Sequence, residues 1–210
     1  MIIYLIRHGE TDWNIDLRVQ GKRDIPLNIS GIKQAEILVS YFEESNIDAI
    51  YSSNLVRAYE TAKIIGQKIK KDVFIIPDLQ EINMGTWEGN FWNDIKIEYN
   101  DFIHHWENNL ENIPIPEGES YGQVQKRVVN AFTNIASKHK DNEQIIIVSH
   151  GISIKLLVAH LINLSVQNIH KFSIDNASIS IIESNGNYKL KSLNNTFHLK
   201  RFGNFYTKKF

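Results

Sequence analysis

The sequence predicts an α/β protein built on a doubly wound or related parallel sheet, and three observations carry that prediction. Short apolar runs alternate with stretches of helical periodicity, in the order strand, helix, strand, helix, strand, over residues 2–76. Polar, turn-rich segments separate them. Two of the apolar runs stop abruptly at His-Gly, in His8-Gly9 and His150-Gly151, which is the edge where open α/β sheets gather ligands.

The first strand is Ile2 to Ile6, a buried apolar run that ends at Arg7, His8 and Gly9. Residues 8–29 hold Asp24, Pro26 and Asn28 and read as a loop over that strand end. Ser30 is positioned to cap a helix carrying Ile32, Ala35, Leu38, Val39 and Phe42 on one face. A second strand, Ile47 to Tyr51, leads through Ser52-Ser53, read as a cap, into a helix from about Asn54 that buries Leu55, Ala58, Ala62, Ile65 and Ile69. The third strand, Val73 to Ile76, is stopped by Pro77.

Residues 77–119 break this rhythm. They contain Trp87, Trp92 and Trp106 and three of the four prolines, and read as an active-site loop followed by a helical insertion of about residues 90–119 that caps a single domain spanning 1–210. Ser120 and Gln123 form a capping box for a helix with Val124, Val128, Phe132 and Ile135 on its apolar face. Ile145 to Ser149 is a fourth buried strand running into a helix over Ile152 to Leu164. Ala177 to Glu183 and Tyr188 to Leu193 form a hairpin turning at Asn185-Gly186. The tail from Asn194, with Lys200, Arg201, Lys208 and Lys209, matches no element.

Composition narrows the function classes. A net charge of −1 leaves no global footprint for nucleic acid or a membrane surface, so a cationic site has to be local. The absence of cysteine excludes disulfides, thiol nucleophiles and thiolate metal sites. No apolar run reaches the length of a membrane span, and a cytoplasmic location is expected.

Each candidate residue has an ordinary structural reading as well. A single histidine after a strand is as often a satisfied core group as a functional one, but two at the ends of parallel strands share one crevice. A metal pair is the rival explanation. It lacks further ligands at the usual spacing, and Arg7 beside His8 would repel a cation. Arg57, near the start of the second helix, is by default a solvated charge, and Glu81, shortly after the third strand, a solvated loop carboxylate. Their placement at the same sheet edge makes a two-arginine anion site with a proton carrier.

Together these residues resemble the signature of the histidine phosphatase superfamily, the phosphoglycerate mutase-like proteins. The similarity runs through Arg7-His8-Gly9-Glu10-Thr11-Asp12-Trp13-Asn14, Gln20-Gly21, Ser52-Ser53-Asn54-Leu55-Val56-Arg57-Ala58, Glu60-Thr61-Ala62, Glu81-Ile82-Asn83-Met84-Gly85, Gly118-Glu119-Ser120 and Ser149-His150-Gly151, over roughly residues 1–193. The resemblance implies a three-layer α/β/α fold on a mixed, mostly parallel sheet with a helical cap. It implies catalysis by His8 as nucleophile, Glu81 as proton donor and then base, and Arg7, Arg57 and His150 as phosphate clamps. It places Asn14, Gln20, Gly21 and Gly151 in the substrate site. Fixed cations can replace a metal in such chemistry, so no metal or cofactor is expected.

The sequence departs from the mutase pattern. Trp92 stands where a lysine is expected, and residues 97–125 contain acidic side chains but no lysine or arginine, a sign that repels a polyanion. The expected activity is hydrolysis of a small phosphomonoester, with phosphoserine, α-ribazole phosphate and sugar phosphates as candidates by resemblance. A cofactor-dependent phosphoglycerate mutase and a non-catalytic phospho-ligand binding module are the alternatives. Hydrolysis makes a small-molecule phosphoester the partner, with neither nucleic acid nor membrane. Oligomeric state does not follow from these residues, and a homodimer stays open.

Overall fold

The computed structural model describes residues 1–201, so Lys208 and Lys209 of the unplaced tail lie outside the described residues. A six-stranded sheet is formed by β1 (Ile2–Arg7), β2 (Ala49–Ser52), β3 (Val73–Ile75), β4 (Gln144–Ser149), β5 (Ile179–Ser184) and β6 (Tyr188–Asn195), in the spatial order β3-β2-β4-β1-β5-β6. The first four run parallel, while β5 lies antiparallel to both β1 and β6. The sheet is therefore mixed and mostly parallel.

Alternation along the strands builds two cores. Ile3 and Leu5 of β1 and Ile145 and Ile147 of β4 face one side, while Ile6, Ile146 and Val148 face the other. On the second side lie α2 (Ile29–Phe42), α3 (Val56–Ile69) and α8 (Phe197–Arg201), packing Leu38, Phe42, Ala58, Ala62, Ile65 and Leu199. On the first lie α6 (Tyr121–Ala136) and α7 (Gly151–Leu161), with Val124, Val128, Phe132, Leu156 and Leu157. Helices cover both faces, giving three layers. The stretch 90–119 holds α4 (Trp92–Glu98) and α5 (Asn100–Glu107), whose aromatic residues pack around a fully buried Trp87. Trp106 meets the Trp87 ring edge-on at 5.2 Å.

Several local expectations are corrected. Asn28, not Ser30, caps α2, accepting from the Gly31 amide at 2.8 Å. Gly31 belongs in that first turn because a Cβ there would meet the Glu10 carbonyl oxygen at 2.1 Å. Ser52-Ser53 do not cap α3 directly: the helix starts at Val56, whose amide is satisfied by Asp24 Oδ1 at 2.7 Å from the loop after β1. That loop also contains a one-turn helix, α1 (Asp12–Ile15), fixed by a Thr11–Asn14 capping box. The hairpin begins two residues later than expected, because Ala177 adopts φ +53° and turns the chain. Part of the tail is α8.

α8 carries a buried histidine with a measurable consequence. His198 donates from Nε2 to the Ala177 carbonyl at 3.0 Å, while its Nδ1 is buried without a partner. Burial pushes its pKa down to about 4, against the opposing effect of that hydrogen bond. The unfolded chain takes up this proton near pH 6.5 and the folded protein only near 4. The unfolded state therefore binds more protons in between, and stability present above about pH 6.5 is lost as pH falls towards 4. Thermal melts should show Tm declining from pH 7 to pH 5 with a shallower decline in His198→Gln. An unchanged slope would assign the acid sensitivity to other groups.

Candidate active site

The strand order brings the two His-Gly motifs together. β1 and β4 are parallel neighbours in register from Ile2–Gln144 to Arg7–Ser149, so His8 and His150 leave the same sheet edge side by side. Their ring centroids are 5.2 Å apart. Both are buried. The chain leaves β1 for α2 on one face and β4 for α7 on the other, which is the position where α/β sheets open a crevice.

His8 is set up as a nucleophile. Its Nδ1 donates to the Gly9 carbonyl at 2.6 Å, and because a carbonyl can only accept, Nε2 is left as the nitrogen with the lone pair. Arg57 Nε donates to that nitrogen at 3.3 Å. Burial, then the charges of Arg57 and Arg7, push the His8 pKa well below its ordinary value, with the Gly9 bond only partly opposing them. The imidazole is therefore neutral at physiological pH. Gly9 is a glycine because α2 crosses it closely: a Cβ would sit 2.4 Å from the Gly31 carbonyl oxygen.

Arg57 is fully buried in α3, which removes the solvated-surface reading. Its Nη2 donates to the Gly21 carbonyl at 2.8 Å and its Nη1 to the Arg23 carbonyl at 2.7 Å. Burial pushes its pKa down to about 10, so it stays charged. Gly21 thus contributes its carbonyl to hold the arginine. It has φ +52°, and a Cβ would come within 2.1 Å of Glu88 Oε1, so the position requires glycine.

Arg7 donates from Nη1 to the Ile174 carbonyl at 2.6 Å and keeps a buried Nε without a partner. Gly151 lies beside it: a Cβ there would stand 3.6 Å from Arg7 Nε and 3.7 Å from Glu81 Oε2. Glu81 is not a solvated loop carboxylate. It accepts from the amides of Ile82, Ile152 and Ser153 at 3.0, 3.1 and 3.2 Å and from Ser153 Oγ at 3.3 Å, which seats it on the N-terminus of α7.

His150 Nε2 lies 2.9 Å from Ser53 Oγ, and its Nδ1 is buried with no partner. Burial, followed by Arg57, His8 and Arg7, pushes its pKa well down. A cationic His150 is therefore disfavoured by the protein itself, and a bound dianion is the charge that would reverse it. Asn14 Oδ1 accepts from Thr11 and from Asn176 Nδ2, the latter at 3.0 Å, which turns its own Nδ2 outward as a donor. Gln20 is the one candidate whose side chain makes no visible contribution, since its Oε1 is buried without a partner.

Other residues hold the site without having been singled out. Asn176 Nδ2 also donates to the carbonyls of His8 and Gly9, each at 3.2 Å. Thr61 Oγ1 accepts from the Gly9 amide at 3.0 Å and donates to the Arg57 carbonyl at 2.8 Å, joining nucleophile loop and clamp. Arg127 pairs with Glu119 through two bonds of 2.9 and 3.0 Å and donates to the carbonyls of Asp78, Gln80 and Glu81 at 2.7–2.9 Å. Burial alone would raise the Glu119 pKa, but Arg127, the Asn83 amide and Lys22 outweigh it and hold it low. Thr61 was visible as part of a motif. Asn176 and Arg127 give no local signal, because their partners are backbone groups far away in sequence.

Three clefts open around this centre. The largest, about 810 Å³, is lined by Arg7, Trp13, Asn14, Arg18, Phe91 and Trp92, among others. Arg18 lies over the Trp13 and Phe91 rings there, at 5.2 and 4.7 Å. Among the described residues no cluster of three or more His, Asp or Glu side chains is placed to hold a metal ion, and no helix is long and apolar enough to cross a membrane.

Known proteins share this fold and much of this sequence. The family model for the histidine phosphatase superfamily (branch 1) matches residues 3–196. The chain is 32% identical to phosphoserine phosphatase 1 of Hydrogenobacter thermophilus over 202 residues, covering 95% of each. It is 33% identical to the probable phosphoglycerate mutase GpmB of Escherichia fergusonii over 181 residues, 86% of this chain and 84% of that one. A crystal structure of phosphoserine phosphatase from Entamoeba histolytica in complex with 3-phosphoglyceric acid superposes with a TM-score of 0.84 at 33% identity, covering 94% of this chain and 98% of that one. The family match over nearly the whole length, together with a phosphatase relative 32% identical over 95% of each chain, makes this chain a phosphatase of the histidine phosphatase superfamily, branch 1.

Proposed function

We propose that the protein hydrolyses phosphate monoesters of small metabolites through a phosphohistidine on His8, without a metal ion. The observation that carries this reading is His8 itself: neutral, with Nδ1 tied to Gly9 and Nε2 turned toward Arg57. In the first step Nε2 attacks phosphorus in line, the P–N bond forms, the P–O bond breaks, and Glu81 gives its proton to the departing oxygen. In the second, Glu81 takes a proton from water, the resulting hydroxide attacks phosphorus, and the P–N bond breaks to release phosphate. Arg7 and Arg57 meet the charge on the phosphoryl oxygens, each well-placed donor contributing roughly 3 kcal/mol. His150 and the Asn14 Nδ2 complete the clamp, and Gly151 lets the phosphoryl group approach the start of α7. We assign residues 90–119 the part of a substrate-facing cap on a single domain, acting in the cytoplasm.

Hydrolysis is favoured over mutase chemistry because Trp92 takes the place in the wall of the large cleft where the mutase pattern has a lysine. The cap presents less negative charge than its sequence suggests, since Glu119 is committed to Arg127 and Lys22, and Arg18 and Lys96 bring positive charge to the large cleft from outside residues 97–125. Relatives named as phosphoserine phosphatases support a small monophosphate as substrate. The test is hydrolysis of p-nitrophenyl phosphate in EDTA, together with conversion of 3-phosphoglycerate in the presence of 2,3-bisphosphoglycerate. Turnover of the first and none of the second is expected. No turnover of the first would reject the metal-independent hydrolase, and efficient conversion of the second would establish a mutase.

A further inference from the structure

We propose that Lys155 selects the substrate by binding a carboxylate on its alcohol half, so that phosphorylated hydroxy acids and amino acids are preferred to phosphoesters lacking an acid. This rests on the hydrolase reading and adds to it the chemistry of the leaving group.

The direction of departure comes first. An in-line attack by His8 puts the leaving oxygen on the far side of phosphorus, at Glu81. Glu81 shares a cleft of about 270 Å³ with Arg7, Gly151, Ile152, Lys155 and Asp175. A second cavity, of about 480 Å³, adjoins it and is lined by Trp92, Trp106, Tyr121, Glu107 and His170, with Ile152 and Lys155 common to both. An alcohol leaving past Glu81 therefore runs alongside Lys155.

The state of that lysine calls for a ligand. Lys155 is half-buried on α7, among the fully buried Ile154, Leu156 and Leu157. Among the described residues its ammonium makes no hydrogen bond and has no carboxylate within ion-pair distance; its nearest recorded partner is the Phe172 ring, 5.9 Å away. Burial and the neighbouring Arg7 depress its pKa, with Glu81 and Asp175 opposing. A half-buried cation held beside another cation, with no carboxylate in ion-pair contact, costs folding free energy, and such arrangements mark functional positions. The charge balance of the walls sets the class of ligand. Lys155 shares its two cavities with Glu81, Asp175 and Glu107, so a singly charged planar acid suits the site and a second phosphate dianion does not.

O-phosphoserine and O-phosphoethanolamine differ only in the carboxylate and form the test pair. The wild-type protein should favour phosphoserine in kcat/KM by at least about tenfold, the equivalent of roughly 1.4 kcal/mol. Lys155→Met should lower kcat/KM for phosphoserine about tenfold more than for phosphoethanolamine, and Lys155→Arg should keep most of the preference. Equal wild-type values, or a Lys155→Met loss of the same factor on both substrates, would overturn the assignment while leaving the hydrolase reading intact. An absence of turnover on both these substrates and p-nitrophenyl phosphate would overturn the two together.

Discussion

His8→Ala should lower phosphatase turnover by at least about a thousandfold, the scale expected when a covalent route loses its nucleophile. The residual clamp of Arg7, Arg57 and His150 still binds phosphate, so the loss falls on kcat and not on phosphate affinity. The same substitution removes a second signal. Wild-type protein quenched during turnover of a labelled phosphoester should carry phosphate that is stable in alkali and released in acid, as a phosphorylated imidazole is, and His8→Ala should carry none. A variant that kept its turnover, or one that still acquired acid-labile label, would move the nucleophile elsewhere. His150 is the obvious second place to look, since it lies 5.2 Å away ring to ring, and His150→Ala run in parallel separates the two.

Glu81→Gln should slow hydrolysis of alkyl phosphates by roughly a hundredfold to ten-thousandfold, the range for loss of a positioned general acid. The amide oxygen can still accept from Ile82 and Ser153, and only the Ile152 bond to the second carboxylate oxygen is lost, so most of the loop's anchoring is retained. The diagnostic is the dependence on leaving group. p-Nitrophenolate departs without a proton, so the variant should lose far less on p-nitrophenyl phosphate than on phosphoserine. It should also lose the limb of the pH–rate profile that the carboxyl proton sets. Equal losses on both substrates would leave Glu81 a structural residue, and Ser153 or Lys155 would become the proton source to examine.

Much of the fold was legible because the core strands announce themselves. Ile2 to Ile6 and Ile145 to Val148 are apolar without interruption, as strands buried on both faces are, and each ends at the histidine it delivers. The antiparallel neighbour was harder to foresee: nothing in Ile179 to Ser184 says that it pairs with β1 from the opposite direction. Helix starts were misread where caps come from afar, as with Asp24 reaching Val56. In the site, the sequence pointed to Arg7, His8, Arg57, Glu81 and His150 because each lies at or after a strand end. Ser53 was seen but assigned to a helix cap, whereas its hydroxyl contacts His150. Asn176 and Arg127 act on main-chain carbonyls, which are the same for every residue type and leave no trace in a motif.

The central place of β1 in the sheet has a consequence for the order in which this protein comes into being. The strand that delivers His8 precedes the other five, yet its neighbours are residues 144–149 on one side and 179–183 on the other, and the side chain that ties down the two carbonyls after it is Asn176. A growing chain shorter than this has the nucleophile but no pocket around it. Such long-range closure slows folding, and it keeps the chemistry silent until nearly all of the domain has been synthesised.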